Sequence, residues 1–443
     1  MLLSACNDDD NRVQQSPVDQ QPVDNALTDC MWQDGPSSKS NSGLDKMNFA
    51  YPDTNVNYWS SEFTIPEGAK VYIDGDFPYA RHTSFVSYTA EGERVNSLRD
   101  VDISPNQGVK NPFIVGHSRL ENQRGYSVEV KLGDLPDNLE KNTLYAPKTA
   151  SNEVAVLYRI YVPNKGFNDK AGVSFPRYRV VLANGEIKKG KDVCDVLKVK
   201  KRSIQNVNAP PVYLTVYDQL RPVFGTGYPA RQQPKWFKTF NATDNFLCIF
   251  QAYQDGKPCE GRTPPSIMNQ WATPDNEYVV AATSRELGKV VVLKGKLPVT
   301  TKTYNNDAVV NSSNMRYWSV CTNEMYTSAT NHCLYDEQIK TDENGFYTIV
   351  VANPEDRPSN ATQSCGVSYL EQSPRGDGYE QAVEGDGHKD LGMLLIRNLL
   401  PSEEFKYTIQ NVKTSGDEKM IMGDYAPDIR YTSKVEFEAL GCK

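Results

Sequence analysis

The feature that most constrains this chain is that it contains itself twice. Pro52-Asp53, with Tyr58 shortly after, returns as Pro274-Asp275 and Tyr278. Lys70-Val71-Tyr72-Ile73-Asp74-Gly75-Asp76-Phe77-Pro78 returns as the run from Lys289 through Gly295 to Pro298. An Arg-x-x-Ser follows each, Arg81 with Ser84 and Arg316 with Ser319. Tyr126–Val130 is matched by Tyr347–Val351, with Asp134-Leu135-Pro136 and Asp356-Arg357-Pro358 trailing. Leu157–Pro163 is matched by Leu395–Pro401. Four blocks in one order mean duplication, and a duplicated unit builds its core twice. A length of 443 residues agrees, being too great for one ordinary core.

Every block reads as a strand: short, alternating or β-branched, and bounded by Gly, Pro, Asn or Asp. Gly75 and Gly295 lead into prolines, which cannot continue a central ladder. Twenty-five tyrosines suit pleated, half-buried surfaces. The reading is a mainly β protein: two tandem β-sandwich or jelly-roll-like domains, related by duplication and joined by a long irregular connector. We place the domains at 45–185 and 273–443, with the connector at 186–272. Within the connector, Asp192–Val199 is expected to form a short helix. Its lysine run, Lys188-Lys189-Gly190-Lys191 and Lys198-Val199-Lys200-Lys201-Arg202, reads first as a solvated face and second as a contact for anionic headgroups.

Residues 1–6, Met1-Leu2-Leu3-Ser4-Ala5-Cys6, resemble the end of a bacterial lipobox, which makes Cys6 the lipidated residue. A polar tether spans 7–44, and Asn7 after the cysteine points to the outer membrane of the cell envelope. Eight further cysteines, an even number, read as disulfides: Cys30, Cys194, Cys248, Cys259, Cys321, Cys333, Cys365 and Cys442. Cys248–Cys259 and Cys321–Cys333 are short enough to be local pairs; spacing leaves the other four open. Zinc would need paired C-x-x-C spacings, which are missing. A net charge of −8 argues against a nucleic-acid partner.

Asp74-Gly75-Asp76-Phe77-Pro78-Tyr79-Ala80-Arg81-His82-Thr83-Ser84, then Leu98-Arg99-Asp100-Val101-Asp102 and Asn111-Pro112-Phe113, resemble a family of uncharacterised secreted bacterial proteins. Met315–Cys321 and Asp356–Ala361 carry the same likeness in the second copy. The resemblance implies tandem jelly-roll-like domains beyond residue 45 and brings no activity with it.

Arg159 and Arg397 stand among apolar neighbours on alternating strands. A buried guanidinium must be paired, so the first reading is an internal bridge, for Arg159 to Asp100 or Asp102. The second is a fork that grips a ligand carboxylate or phosphate. Arg81-His82 and Arg316-Tyr317-Trp318 occupy equivalent places, where arginine and aromatic side chains stack a sugar or aromatic ligand or else pack the core. The ligand-binding candidates are therefore Arg81, His82, Arg159, Arg316, Trp318 and Arg397. Asp377 and Asp386, in a glycine-rich acidic loop, are candidates for calcium, with no other cofactor expected. No H-E-x-x-H, phosphate loop or dinucleotide fingerprint is present, and Gly116-His117-Ser118 lacks the glycine and helix of a nucleophile elbow. The expected function is a lipid-anchored, non-enzymatic module binding a small ligand or an envelope protein. A surface hydrolase or lyase would instead need Asp100, Asp102, His82 and Arg159 in one pocket, and a purely structural protein would have none.

Overall fold

The computed structural model describes residues 30–35, 48–89, 92–200, 221–223, 225–239, 272–325, 327–378 and 388–442. Cys6, most of the tether, Cys248, Cys259 and Asp386 lie outside them. The first repeat supplies β1 (Gln33–Asp34), β2 (Val56–Thr64), β3 (Lys70–Asp76), β4 (Ala80–Tyr88) and β5 (Arg94–Arg99). It continues with β6 (Gly125–Leu132), β7 (Thr143–Ala146), β8 (Glu153–Pro163), β9 (Arg177–Val181) and β10 (Ile187–Lys189). These form two five-stranded sheets, β1-β2-β8-β4-β5 and β10-β9-β3-β6-β7. A short helix, α1 (Asp192–Val196), follows β10.

The second repeat runs β11 (Phe237–Thr239), β12 (Asn276–Ser284), β13 (Val290–Lys296), β14 (Met315–Asn323) and β15 (Thr330–Tyr335). Then come β16 (Phe346–Ala352), β17 (Val367–Glu371), β18 (Leu391–Pro401) and β19 (Asp428–Thr432), with helices α2 (Glu418–Met422) and α3 (Lys434–Glu438). Its sheets are β11-β12-β18-β14-β15 and β17-β16-β13-β19. The order repeats the first except for β10, which has no counterpart among the described residues, down to the parallel pairings β6–β7 and β16–β17 in otherwise antiparallel sheets. The protein is two β-sandwiches related by duplication. No helix among the described residues is long and apolar enough to cross a membrane.

Each sandwich core fills the space between its own two sheets, with Phe63, Ile73, Phe85, Val128 and Tyr158 in one and Val279, Leu293, Val320, Ile349 and Ile396 in the other. Both repeats close one edge with a tryptophan placed just before a short strand. Trp32 Nε1 donates to Pro176 O at 2.7 Å, and Trp236 Nε1 donates to Pro427 O at 2.7 Å. Those prolines also explain the repeated glycines. A Cβ on Gly75 would lie 2.7 Å from Tyr126 Oη and 3.1 Å from Pro176 Cβ; one on Gly295 would lie 2.8 Å from Pro427 Cβ. β1, β10 and β11 thus extend the sandwiches into stretches that the sequence reads as tether and connector.

The cysteines pair as Cys30–Cys194, Cys321–Cys333 and Cys365–Cys442. Cys321 and Cys333 face each other across β14 and β15, where directly opposed residues are close enough to bond. The expected pair Cys248–Cys259 falls outside the described residues.

The central strands depart from simple alternation. Nine consecutive residues of β8, Val154–Val162, are buried, and so are nine of β18, Leu391–Leu399. One face of each lies in its own sandwich, and on the other Tyr161 and Leu399 meet the opposite repeat. Gly75→Ala or Gly295→Ala is expected to destabilise the fold by about 1–3 kcal/mol through overpacking, read as a lower urea midpoint at unchanged slope.

Candidate functional site

The sheets β1-β2-β8-β4-β5 of the first repeat and β11-β12-β18-β14-β15 of the second turn their outer faces toward each other. Register sets which side chains meet there: His82 pairs with Tyr161, Ser84 with Arg159, Tyr317 with Leu399 and Ser319 with Arg397. Val56, Tyr161 and Val162 of the first repeat form one apolar cluster with Tyr317, Tyr335 and Leu399 of the second. The Tyr161 and Tyr317 rings lie 5.4 Å apart, edge to face.

Near this seam the charges cross from one repeat to the other. Arg81 is 0% exposed; Nη1 donates to both oxygens of Asp336 at 2.8 and 2.9 Å, Nη2 donates to Glu337, and Nε donates to Thr303 Oγ1 at 2.9 Å. The equivalent Arg316 points back, 3.7 Å from Asp100. Arg81 Nη1 donates to Arg316 O at 3.5 Å, and Arg316 Nη1 donates to Arg81 O at 3.3 Å. Asp100 and Asp336 are themselves equivalent, each beginning the 3-10 turn after β5 or β15. Each also caps its own sheet: Thr83 N donates to Asp100 at 2.9 Å and Trp318 N to Asp336 at 3.0 Å. Burial works against the charge on Asp100, yet His82 and Arg316 hold its pKa below the usual carboxylate value.

Arg397 is the second buried hub. Nη1 donates to Asp53 at 3.1 Å and lies 2.8 Å from Cys321 Sγ, and Nη2 donates to Tyr51 O. Tyr317 Oη and Ser319 Oγ donate to the same Asp53 oxygen at 2.9 and 2.7 Å. Burial disfavours the guanidinium, but Asp53 and the surrounding tyrosines raise the Arg397 pKa above its ordinary value. Asp53 rides on an arm of the first repeat that reaches the second: Tyr51 N donates to Ser328 O at 2.8 Å, and Asn48 Nδ2 to Thr330 O at 3.0 Å. The second repeat returns the arm. Ala272 O accepts from Tyr88 Oη at 2.9 Å, Asp275 accepts from Ser97 Oγ at 3.0 Å, and Asn276 Nδ2 donates to Tyr161 Oη at 2.8 Å.

These contacts correct the sequence reading of Arg159. Its Nη2 donates to Tyr88 Oη at 2.7 Å, while Asp100 serves His82 and Thr83, and Asp102 binds Arg99 at the surface. Arg159 is 3% exposed and Arg397 2%, so neither forms an open fork. Trp318 is 1% exposed and packs on Tyr347 inside the second sandwich, closed to a stacking ligand. Arg316 keeps 10% of its side chain exposed, the most of the six candidates. His82 and Asp100 do meet, Nδ1 to Oδ2 at 2.8 Å and both 0% exposed, and the second copy has Tyr317 in place of the histidine. Asp377, also buried, accepts from His388 N at 3.1 Å.

Asp53, Cys321 and Cys333 bring three potential metal-ligating atoms within 4.8 Å of one another. The set does not suit a cation. Both sulfurs are committed to a disulfide, and the Arg397 guanidinium already occupies the position between sulfur and carboxylate.

The comparisons leave the family open. No family model matches the chain, and no curated protein matches it. Among solved structures, an uncharacterized protein from Burkholderia cenocepacia aligns over 92% of this chain and 82% of its own, at 9% identity and a TM-score of 0.46. A protein from Vibrio parahaemolyticus aligns over 87% and 90%, at 12% identity and a TM-score of 0.38. Both sources are bacterial, and neither likeness carries an activity to this chain.

The residues that sequence reasoning missed are the acceptors Asp53, Asp336 and Glu337. A signal for two of them was present, since Asp53 belongs to the first repeated block and Asp336 matches Asp100. Arg81→Met should cost about 3–5 kcal/mol by leaving buried carboxylates uncompensated. Arg81→Met with Asp336→Asn should recover part of it, a coupling of about 0.5–3 kcal/mol in a denaturation cycle. Because the folded pKa of Asp100 is depressed, its contribution is complete above the unfolded value near pH ~4 and fades as pH falls toward the folded one. Asp100→Asn should therefore flatten the acid limb of stability against pH.

Proposed function

We propose that this is a lipid-anchored protein of the bacterial cell envelope that binds a partner rather than catalysing a reaction. The observation that carries the reading is the cross-bracing of the repeats. The arginines and aromatic residues best able to grip a substrate are spent on each other, which makes one rigid body of two sandwiches. Such a body presents its outer surfaces and loops to a partner, a small ligand or an envelope protein, while its centre stays closed. Three disulfides support an oxidising compartment, and the lipobox at Cys6 supports attachment to the outer membrane.

Native mass spectrometry of the protein extracted gently from its host membrane tests both parts. A diacylglyceryl mass on Cys6 together with a stoichiometric bound species is the expected result. A chain carrying no lipid, with nothing bound, would overturn it. One observation favours a hydrolase as the second reading: His82 on Asp100 has the orientation of a catalytic histidine, in the first copy alone. That reading requires a substrate path to a side chain that is 0% exposed. Turnover of an envelope polymer or lipid that His82→Ala abolishes, with the fold intact, would establish it.

A further inference from the structure

Of the polar N-terminal segment, residues 30–35 are described, and they lie on the first sandwich. Cys30 is bonded to Cys194 of α1, and Gln33 Nε2 donates to Lys200 O at 2.7 Å. Between those residues Trp32 is sunk into the first core. The segment is thus fixed at both ends of the stretch 194–200, which is part of the lysine run. Lys189, Lys191, Lys198 and Lys200 are exposed around it, and Ile187 on β10 is 56% exposed beside them.

The local charge opposes that of the whole. From Glu186 to Lys200 there are five lysines against Glu186, Asp192 and Asp195, while the chain carries −8. Lys188 is paired with Glu186 at 2.6 Å and Lys200 with Glu153. Among the described residues no ion pair engages Lys189, Lys191 or Lys198.

We propose that the face formed by β10, α1 and Lys198 docks on an anionic lipid bilayer, beside the point where the tether leaves the body. This rests on the lipid-anchored reading. Twenty-three residues, Asn7 to Asp29, separate the lipobox cysteine from Cys30, a chain that spans at most roughly 80 Å even fully extended. Lipid and lysines would therefore address the same membrane at high effective concentration, so a weak patch suffices. One lipid signal joined to a basic surface gives firmer attachment than either alone. Exposed Ile187 among the lysines fits a headgroup boundary better than it fits a soluble polyanion.

The test uses the full-length Cys6→Ser chain, which binds without an anchor or not at all, so its outcome is independent of lipidation. Co-sedimentation is measured with phosphatidylcholine vesicles, with and without phosphatidylglycerol, at low and high salt. The expected result is binding only to phosphatidylglycerol vesicles and its loss at high salt. Lys189→Glu/Lys191→Glu/Lys198→Glu should weaken it at least about a hundredfold, near fivefold for each basic residue. Lys294→Glu/Lys302→Glu/Lys434→Glu on the second sandwich should leave it unchanged. Matching circular dichroism melts show that both variants fold. No binding by the parent chain, or equal losses in both variants, overturns the proposal. Tighter binding to heparin than to the vesicles overturns the bilayer in favour of a polyanionic partner.

Discussion

The assembly depends on Arg81 being covered. A guanidinium with no exposed surface persists only if every donor finds an acceptor, and the first repeat does not supply its carboxylates. Asp336 and Glu337 come from the second repeat, and Arg316 reaches back toward Asp100. The seam between the repeats is consequently part of the core. Apolar packing of Tyr161, Tyr317 and Leu399 supplies contact area, and the crossed bridges specify how the two faces align.

Duplication explains why the arrangement is nearly symmetric. Equivalent arginines face equivalent aspartates, as in an isologous interface between two copies of a subunit. The departures from symmetry are local and chemical. His82 stands where the second copy has Tyr317, and the Val86–Ser97 pair of β4 and β5 is replaced by Cys321–Cys333. Val162 and Leu400, at the same place in each repeat, both adopt φ near 45°, and each donates its N–H to the arm of its own repeat, at Asn55 O and Asp275 O. A β-branched or bulky residue there is strained, so its appearance in both copies means that the arms must leave the sheet in that way.

Much of this was legible in the sequence. Repeated blocks give the number of domains, and alternation with Gly and Pro punctuation gives strands and sandwiches. The burial of Arg159 and Arg397 follows from their apolar neighbours. Their partners do not follow, because alternation assigns a residue to a face without saying what covers it. Asp53 lies 344 positions from Arg397, and only the packing of one repeat on the other brings them together. Trp32 and Trp236 were missed for a related reason: strands of two and three residues are too short to show a period. The Cys30–Cys194 bond joins positions 164 apart, which spacing alone does not determine.

The arm exchange has a consequence for the order in which the chain becomes stable. Asp336 follows Arg81 by 255 residues, so a ribosome adding about 5–20 residues per second makes the acceptor roughly 10–50 s after the donor. During that interval the first sandwich can close its core around Trp32 and Phe85 while its seam face remains wet and charged. Until the second repeat is made Arg81 has neither of its carboxylates, so its guanidinium is stable only in water.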